Sequence, residues 1–344
     1  MLTILIPTKN RSAFLTRLLR YYAKCGCPFP IRIADSSDSD HYARANEVLA
    51  AVSGRLDVER RYYPGISNLA CLSDLSKRVS TPYVVYVSDD DLLVPRALEH
   101  AVAFLETHAD YCAAHGDGQL FTIESDKAEG LVTGTSSYAQ RSAEQELASV
   151  RLVDYLSTYR PIVFSVQRAD ALKTSYQYVV DLKLDNSFGE LLPSSLPVIR
   201  GKVKKLRTLY MARQTHGDMT SRKLNLDLFD WISTPDWTSQ WVGFRDCLAT
   251  ELAQQDRLSV EQAREVVKQA FWAHLARGLT GKWHARYGRT HDGWQPRFRN
   301  TVRQIPGLRR AWREVREVAG AWQGSVAVGQ WVGTCGAGHR QREH

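Results

Sequence analysis

The stretch TPYVVYVSDDDLLVP, residues 81–95, decides how the first two thirds of this chain are read. Tyr83–Val87 is β-branched and aromatic, too short to span a membrane, and reads as a buried strand. Asp89, Asp90 and Asp91 follow at its C-terminal end, where open α/β sheets place their ligands. Three adjacent carboxylates repel one another, so the cluster asks for open solvent or for a cation. The alternative is a helix cap with solvated neighbours.

The flanking segments alternate in the same style. LTILIPT (2–8) and IRIAD (31–35) read as strands, and LDVERRYY (56–63) as a third, on a sheet edge. Between them, Phe14, Leu15, Leu18, Leu19 and Tyr22 recur at helical spacing, with Gly26 placed to close that helix. Residues 67–79 and 96–108 read as helices and YCAAHG (111–116) as a strand. This rhythm predicts an α/β fold built on a doubly wound, mostly parallel sheet. Residues 117–150, rich in Ser, Gly, Gln, Thr and Glu, read as an inserted loop. Strand character returns at IVFSVQR (162–168), a helix runs on to about 175, and KVKKLRTLYMARQ (202–214) is strand-like.

Beyond about residue 225 the pattern turns helical, and all nine tryptophans lie there. The expected division is a nucleotide-binding α/β unit over 1–224, a Trp-rich helical extension over 225–330 and a disordered tail over 331–344. Within RFRNTVRQIPGLRRAWREVREV (297–318), Trp312, Val315 and Val318 stand at helical spacing beside basic residues. Packing, in a core or a homodimer, is the favoured reading; peripheral contact with anionic lipid is the other.

The totals narrow the class. The chain has 344 residues, 44% of them hydrophobic, and a formal net charge of +8, a balance that favours anionic partners. No helix-turn-helix, zinc or RNA-recognition pattern points to nucleic acid. The six scattered cysteines have no zinc-site spacing and read as reduced, buried thiols. With no leader pattern and no apolar run near 18 residues, a cytoplasmic enzyme or binding protein is expected.

Thr8 to Arg11, Asp35 and the aspartate trio each end a strand, so three polar clusters converge on one edge of the sheet. On these residues the chain resembles the family-2 glycosyltransferases of the GT-A fold. TILIPTKNRSAFLTRLL resembles their first strand and helix, IADSSDSD their second-strand acidic turn, and TPYVVYVSDDDLLVP, with Pro95 four positions after Asp91, their metal-binding motif. The resemblance covers roughly residues 1–215.

It implies an inverting, metal-dependent transfer from a nucleoside diphosphate sugar, UDP-linked by default, to a hydroxyl of a glycan or lipid-linked glycan, in bacterial surface-polysaccharide synthesis at the inner face of the membrane. A divalent cation, Mn²⁺ or Mg²⁺, would steady the departing diphosphate with one or two protein carboxylates. The motif places it on Asp90, with Asp91 and His216 as further ligands and Asp89, beside them, on the donor nucleotide. Ser88 stands where the family carries an acidic residue. Pro7 and Thr8 would line the base pocket, and Asp35 would accept hydrogen bonds from base or ribose. Arg11, Asn68 and Arg213 are candidate donor contacts. An acidic residue eleven positions before a helix-ending glycine serves relatives as the general base; Glu190 and Gly201 fit, with Asp185 as runner-up. Pro193 and Pro197 argue against a regular helix there. Two other functions remain: a sugar-phosphate nucleotidyltransferase, although PTKNRSAF contains no glycine for a phosphate loop, and a non-catalytic nucleotide- or glycan-binding protein.

Overall fold

A computed structural model describes residues 1–125, 127–217 and 226–287. Strand β1 (Leu2–Thr8) is buried along its whole length, as a strand covered on both faces must be. It lies parallel between β2 (Ile31–Asp35) and β4 (Tyr83–Tyr86), while β3 (Val58–Tyr62) runs parallel to β2 at the sheet edge. The remaining strands are β5 (Asp91–Leu93), β6 (Tyr111–Ile123), β7 (Val132–Tyr138), β8 (Val166–Arg168) and β9 (Lys202–Gln214). Their order is β3-β2-β1-β4-β8-β6-β9-β5, with β7 on β6. β6 and β9 are parallel, whereas β5, β7 and β8 are antiparallel to their neighbours. The expected α/β, mostly parallel sheet is what the chain forms.

Helices α1 (Ser12–Lys24), α2 (Ser39–Val52), α3 (Asn68–Lys77), α4 (Pro95–Thr107) and α6 (Ala169–Asp181) accompany the strands. The predicted α1 stripe, Phe14, Leu15, Leu18, Leu19 and Tyr22, is buried, and Gly26 follows the helix with φ +61°. Among the described residues, no helix is long and apolar enough to cross a membrane.

Three local expectations are corrected. Residues 117–150 are not simply a loop: β6 continues through Ile123 and pairs with β7, because backbone pairing along the sheet satisfies a polar sequence as well as an apolar one. The strand expected over 162–168 shortens to Val166–Arg168. Residues 186–200 form helix α7 (Asn186–Arg200) despite both prolines. Eleven of its residues are buried, and that burial outweighs the backbone hydrogen bonds the prolines forgo. The cysteines also differ from expectation in part: Cys25 is exposed and Cys247 half-buried, while Cys27, Cys71 and Cys112 are buried thiols.

Helices α8 (Leu228–Ile232), α9 (Trp237–Asp256) and α10 (Val260–Tyr287) complete the described chain. They pack on α5 (Ala148–Ser157) and α7 around Phe188, Trp231, Trp241, Phe244 and Phe271. Polar contacts fix the seam. Asp256, ending α9, accepts from the backbone N–H of Ala148 (2.9 Å) and Ser149 (2.8 Å), first-turn donors of α5 that have no acceptor within the helix. The basic segment 297–318 and the tail 331–344 lie outside the described residues.

Candidate functional site

The turn after β1 sets the first part of the site. Asn10 takes a left-handed conformation (φ +56°), for which Asn is well suited, and donates its N–H to Ser37 Oγ. Arg11 then begins α1 with its guanidinium directed at the aspartates. Nη1 stands 3.0 Å from Asp89 Oδ1, and Nη2 donates to Asp90 Oδ2 at 2.7 Å.

Each aspartate of the trio is buried and paired differently. Asp89 also accepts from Thr8 Oγ1 at 2.7 Å. Asp90 faces His216 Nε2 at 2.9 Å, and its backbone carbonyl accepts from the buried Arg17. Asp91, the first residue of β5, lies opposite Arg213 in the ladder with β9 and takes its Nε at 3.0 Å. Burial drives the Asp89 and Asp91 carboxyls upward, with Arg11 and Arg213 only partly offsetting it. At Asp90 burial pushes the same way, but His216 and Arg11 outweigh it and hold the carboxyl below its ordinary range. The solvated-cap reading of the trio therefore does not describe these side chains.

A cleft of about 520 Å³ opens beside them. Arg11, Asn68, Ser88, Asp90, Arg213 and Glu190 all line it. Tyr86, Tyr138, Phe164 and Tyr176 add an aromatic lining. Such a mixture of apolar surface and a few convergent polar groups is what small-molecule sites share. Pro7 and Thr8 are buried within β1, and Thr8 reaches the site through Asp89. Asp35 is buried at the end of β2, accepting from Ser37 N–H at 3.0 Å and pairing with Arg60 at 3.4 Å. Arg60 itself lies over the Tyr42 ring, 3.7 Å from its centroid.

The two candidate bases separate clearly. Glu190, on α7, receives the Tyr159 hydroxyl at 2.9 Å. Burial, with Glu190 beside it, pushes the Tyr159 phenol well above its ordinary value, so it remains a donor. Gly189, next in sequence, lets α3 approach: a Cβ there would stand 2.7 Å from Leu69 Cδ1. Asp185 instead caps α7, accepting from Phe188 N–H (2.9 Å) and from Trp231 Nε1 (2.6 Å). Gly201 ends that helix as the spacing implied, and its Cβ would lie 2.8 Å from the Cys112 backbone nitrogen.

Among the described residues, no group of three or more His, Cys, Asp and Glu side chains could hold a metal ion. Asp90 Oδ2 and His216 Nε2 stand 2.9 Å apart. His216 Nδ1 meets no hydrogen-bond partner among the described residues, and its ring stacks on Phe14 at 4.9 Å. One oxygen and one nitrogen fit a cation whose other ligands come from phosphate and water, and do not fit one enclosed by protein alone.

Sequence reading missed Tyr159, Arg17 and the aromatic lining. An isolated Tyr or Arg carries no local pattern that distinguishes it from an ordinary core or surface residue.

No protein-family model and no curated protein sequence matches the chain. Among solved structures it is similar to residues 1–349 of S. aureus TarS in complex with UDP-GlcNAc, with a TM-score of 0.52 and 15% identity, covering 83% of this chain and 76% of that one. The same S. aureus TarS segment in complex with UDP aligns with a TM-score of 0.42 and 14% identity, over 83% and 91%. The likeness to the first of these is one of architecture: the chain adopts a GT-A-type α/β fold.

Proposed function

We propose that this protein is an inverting glycosyltransferase, moving a sugar from a nucleoside diphosphate sugar to a hydroxyl acceptor. The observation that carries the reading is a single cleft lined by Asp90, Arg11 and Arg213 together with Glu190. Cationic and carboxylate groups that suit a diphosphate thus share a cavity with a carboxylate that can take a proton.

Glu190 accepts the proton of the acceptor hydroxyl as its oxygen attacks the anomeric carbon. That new C–O bond forms on the face opposite the diphosphate, and the old C–O bond breaks with its electron pair leaving on the diphosphate. Arg11 and Arg213, which line the same cleft, would stabilise that charge. Asp90 and His216 would hold a divalent cation, Mn²⁺ in preference to Mg²⁺ because one ligand is an imidazole, and the ion would supply further charge stabilisation to the leaving group. The aromatic side chains offer flat apolar surface to a sugar ring, which suits a glycan acceptor. UDP is the proposed donor nucleotide, since the structure with the shared fold is a UDP-GlcNAc complex.

A thermal-shift panel of UDP, GDP, dTDP and CDP, each with and without Mn²⁺, tests the donor site in wild type and Asp90→Ala. The expected result is a rise in melting temperature with UDP that Mn²⁺ enlarges and the variant loses. Flat curves for all four nucleotides would return the cleft to a non-catalytic role.

A further inference from the structure

The Arg213 guanidinium is fixed through two of its nitrogens, Nε donating to Asp91 at 3.0 Å and Nη1 to the Tyr138 hydroxyl at 2.9 Å. Its carbon lies 4.5 Å from the Phe164 ring centroid and 5.0 Å from that of Tyr138. Nη2 meets no partner among the described residues, so its two hydrogens remain for whatever enters the cleft that Arg213 lines. The Tyr138 hydroxyl also has a hydrogen to place. A phenol oxygen can accept and donate at once; here it accepts from Arg213, and no described residue takes its own proton. Tyr138 lines the same cleft, although it belongs to a strand whose preceding residues, Thr133–Ser137, are exposed. It can do so because Gly118 stands directly opposite it on β6: a Cβ there would lie 2.7 Å from Tyr138 Cδ1, so the ring packs on bare backbone.

We propose that Tyr138 and Arg213 form a two-donor unit for the diphosphate, the Tyr138 hydroxyl and Arg213 Nη2 each giving a hydrogen bond to a phosphoryl oxygen; the inference rests on the donor-site reading above and adds to it a contact residue from the β6–β7 hairpin. The guanidinium beside the phenol selects the ligand. A cationic donor on the phenol oxygen draws electron density from it and strengthens the O–H as a donor. Such a donor is matched to an anionic acceptor better than to a neutral sugar hydroxyl. Preorganisation points the same way. Asp91, buried at the start of β5, and Tyr138 hold the guanidinium in one orientation before a ligand arrives. Little side-chain freedom is then left to lose on binding. The hairpin that carries Tyr138 is therefore part of the donor site and not only an edge of the sheet.

Calorimetry of inorganic pyrophosphate and of UDP against wild type and Tyr138→Phe tests the unit, since the variant keeps the ring and removes only the hydroxyl. Both ligands are expected to bind about tenfold or more weakly to the variant, as the loss of a hydrogen bond to a charged group implies, with its unliganded melting temperature kept. Unchanged affinity for both ligands overturns the proposal. A loss confined to the acceptor KM also overturns it, and would assign the hydroxyl to a sugar instead. A crystal structure of wild type with UDP gives a reading that stands even if the variant does not fold. The Tyr138 hydroxyl and Arg213 Nη2 should lie within hydrogen-bond distance of phosphoryl oxygens, and either one turned away from them sinks the idea. If wild type binds pyrophosphate in a Tyr138-dependent manner but does not bind UDP, the choice of donor nucleotide fails while the two-donor unit stands. Binding of neither ligand by wild type defeats both.

Discussion

The Tyr159 hydroxyl donates to Glu190 Oε1 across 2.9 Å and lies 3.2 Å from Ser194 Oγ, tying the loop after α5 to two residues of α7. Substituting Glu190→Gln is expected to lower kcat by roughly 10²- to 10⁴-fold while donor affinity is kept. Tyr159→Phe should lower kcat by about tenfold with an unchanged donor KM, since it frees the carboxylate to rotate without removing it. Steady-state kinetics on both variants, with UDP binding by calorimetry, decide the matter. Full turnover by Glu190→Gln would move the base elsewhere.

Asp185 gives the complementary prediction. Its carboxylate is committed to the Phe188 N–H and the Trp231 indole. Asp185→Asn can still accept one of these bonds, so catalytic turnover should stay within about threefold of wild type, whereas Asp185→Ala should lose ~1–2 kcal/mol of stability through the lost cap. Urea unfolding of the alanine variant and an activity assay of the asparagine variant provide the two readings. Collapse of turnover in Asp185→Asn would make Asp185 the base.

The two glycines that bracket α7's working surface should respond unequally. An alanine Cβ at position 201 would meet backbone atoms, Cys112 N at 2.8 Å and Asp110 O at 3.0 Å. At 189 it would meet the Leu69 side chain, which can turn aside. Gly201→Ala is expected to cost about 1–3 kcal/mol and Gly189→Ala less. If calorimetric melting ranks them the other way, the packing argument fails.

His115 sets a pH dependence of stability. Burial lowers its imidazole from an ordinary 6.5 to about 4, so the folded protein keeps it neutral. Between those values the unfolded chain binds the extra proton, and stability falls as pH falls. The contribution is complete above 6.5, drains through the window and is gone below 4. Its full span is on the order of 3 kcal/mol. Urea titrations between pH 4 and 7 should show a shallower slope for His115→Gln than for wild type; equal slopes would remove His115 as the source.

The strand–helix rhythm and the aspartate cluster were legible because they rest on local patterns. A run such as YVVYV followed by three carboxylates announces both burial and an edge. The α7 segment misled for an equally local reason: Pro193 and Pro197 speak against a helix, and only burial against α5, α9 and α10, which no short window contains, overrides them. The Glu190–Gly201 spacing survived because both residues sit on one continuous element. Arg11 was a candidate contact from its position after β1, but among its partners Asp90 and His216 lie 79 and 205 residues away in sequence. Contacts of that span leave no periodic signal. Tyr159 and Arg17 stayed invisible for the same reason.

The Asp256 cap on α5 also dictates an order of events during synthesis. Its acceptor oxygens lie 107 residues downstream of the Ser149 donor, an interval of about 5 to 20 s at ordinary translation rates. From the completion of α7 at Arg200 until Asp256 is made, a nascent chain carries α5 and α7 without the helices that later cover their apolar faces. A force-sensing arrest sequence placed at successive lengths should register the pull of docking once α9 has cleared the exit tunnel; an earlier pull, before residue 256 emerges, would contradict this order. The helix that bears Glu190 is thus among the last parts of the molecule to be secured on the ribosome.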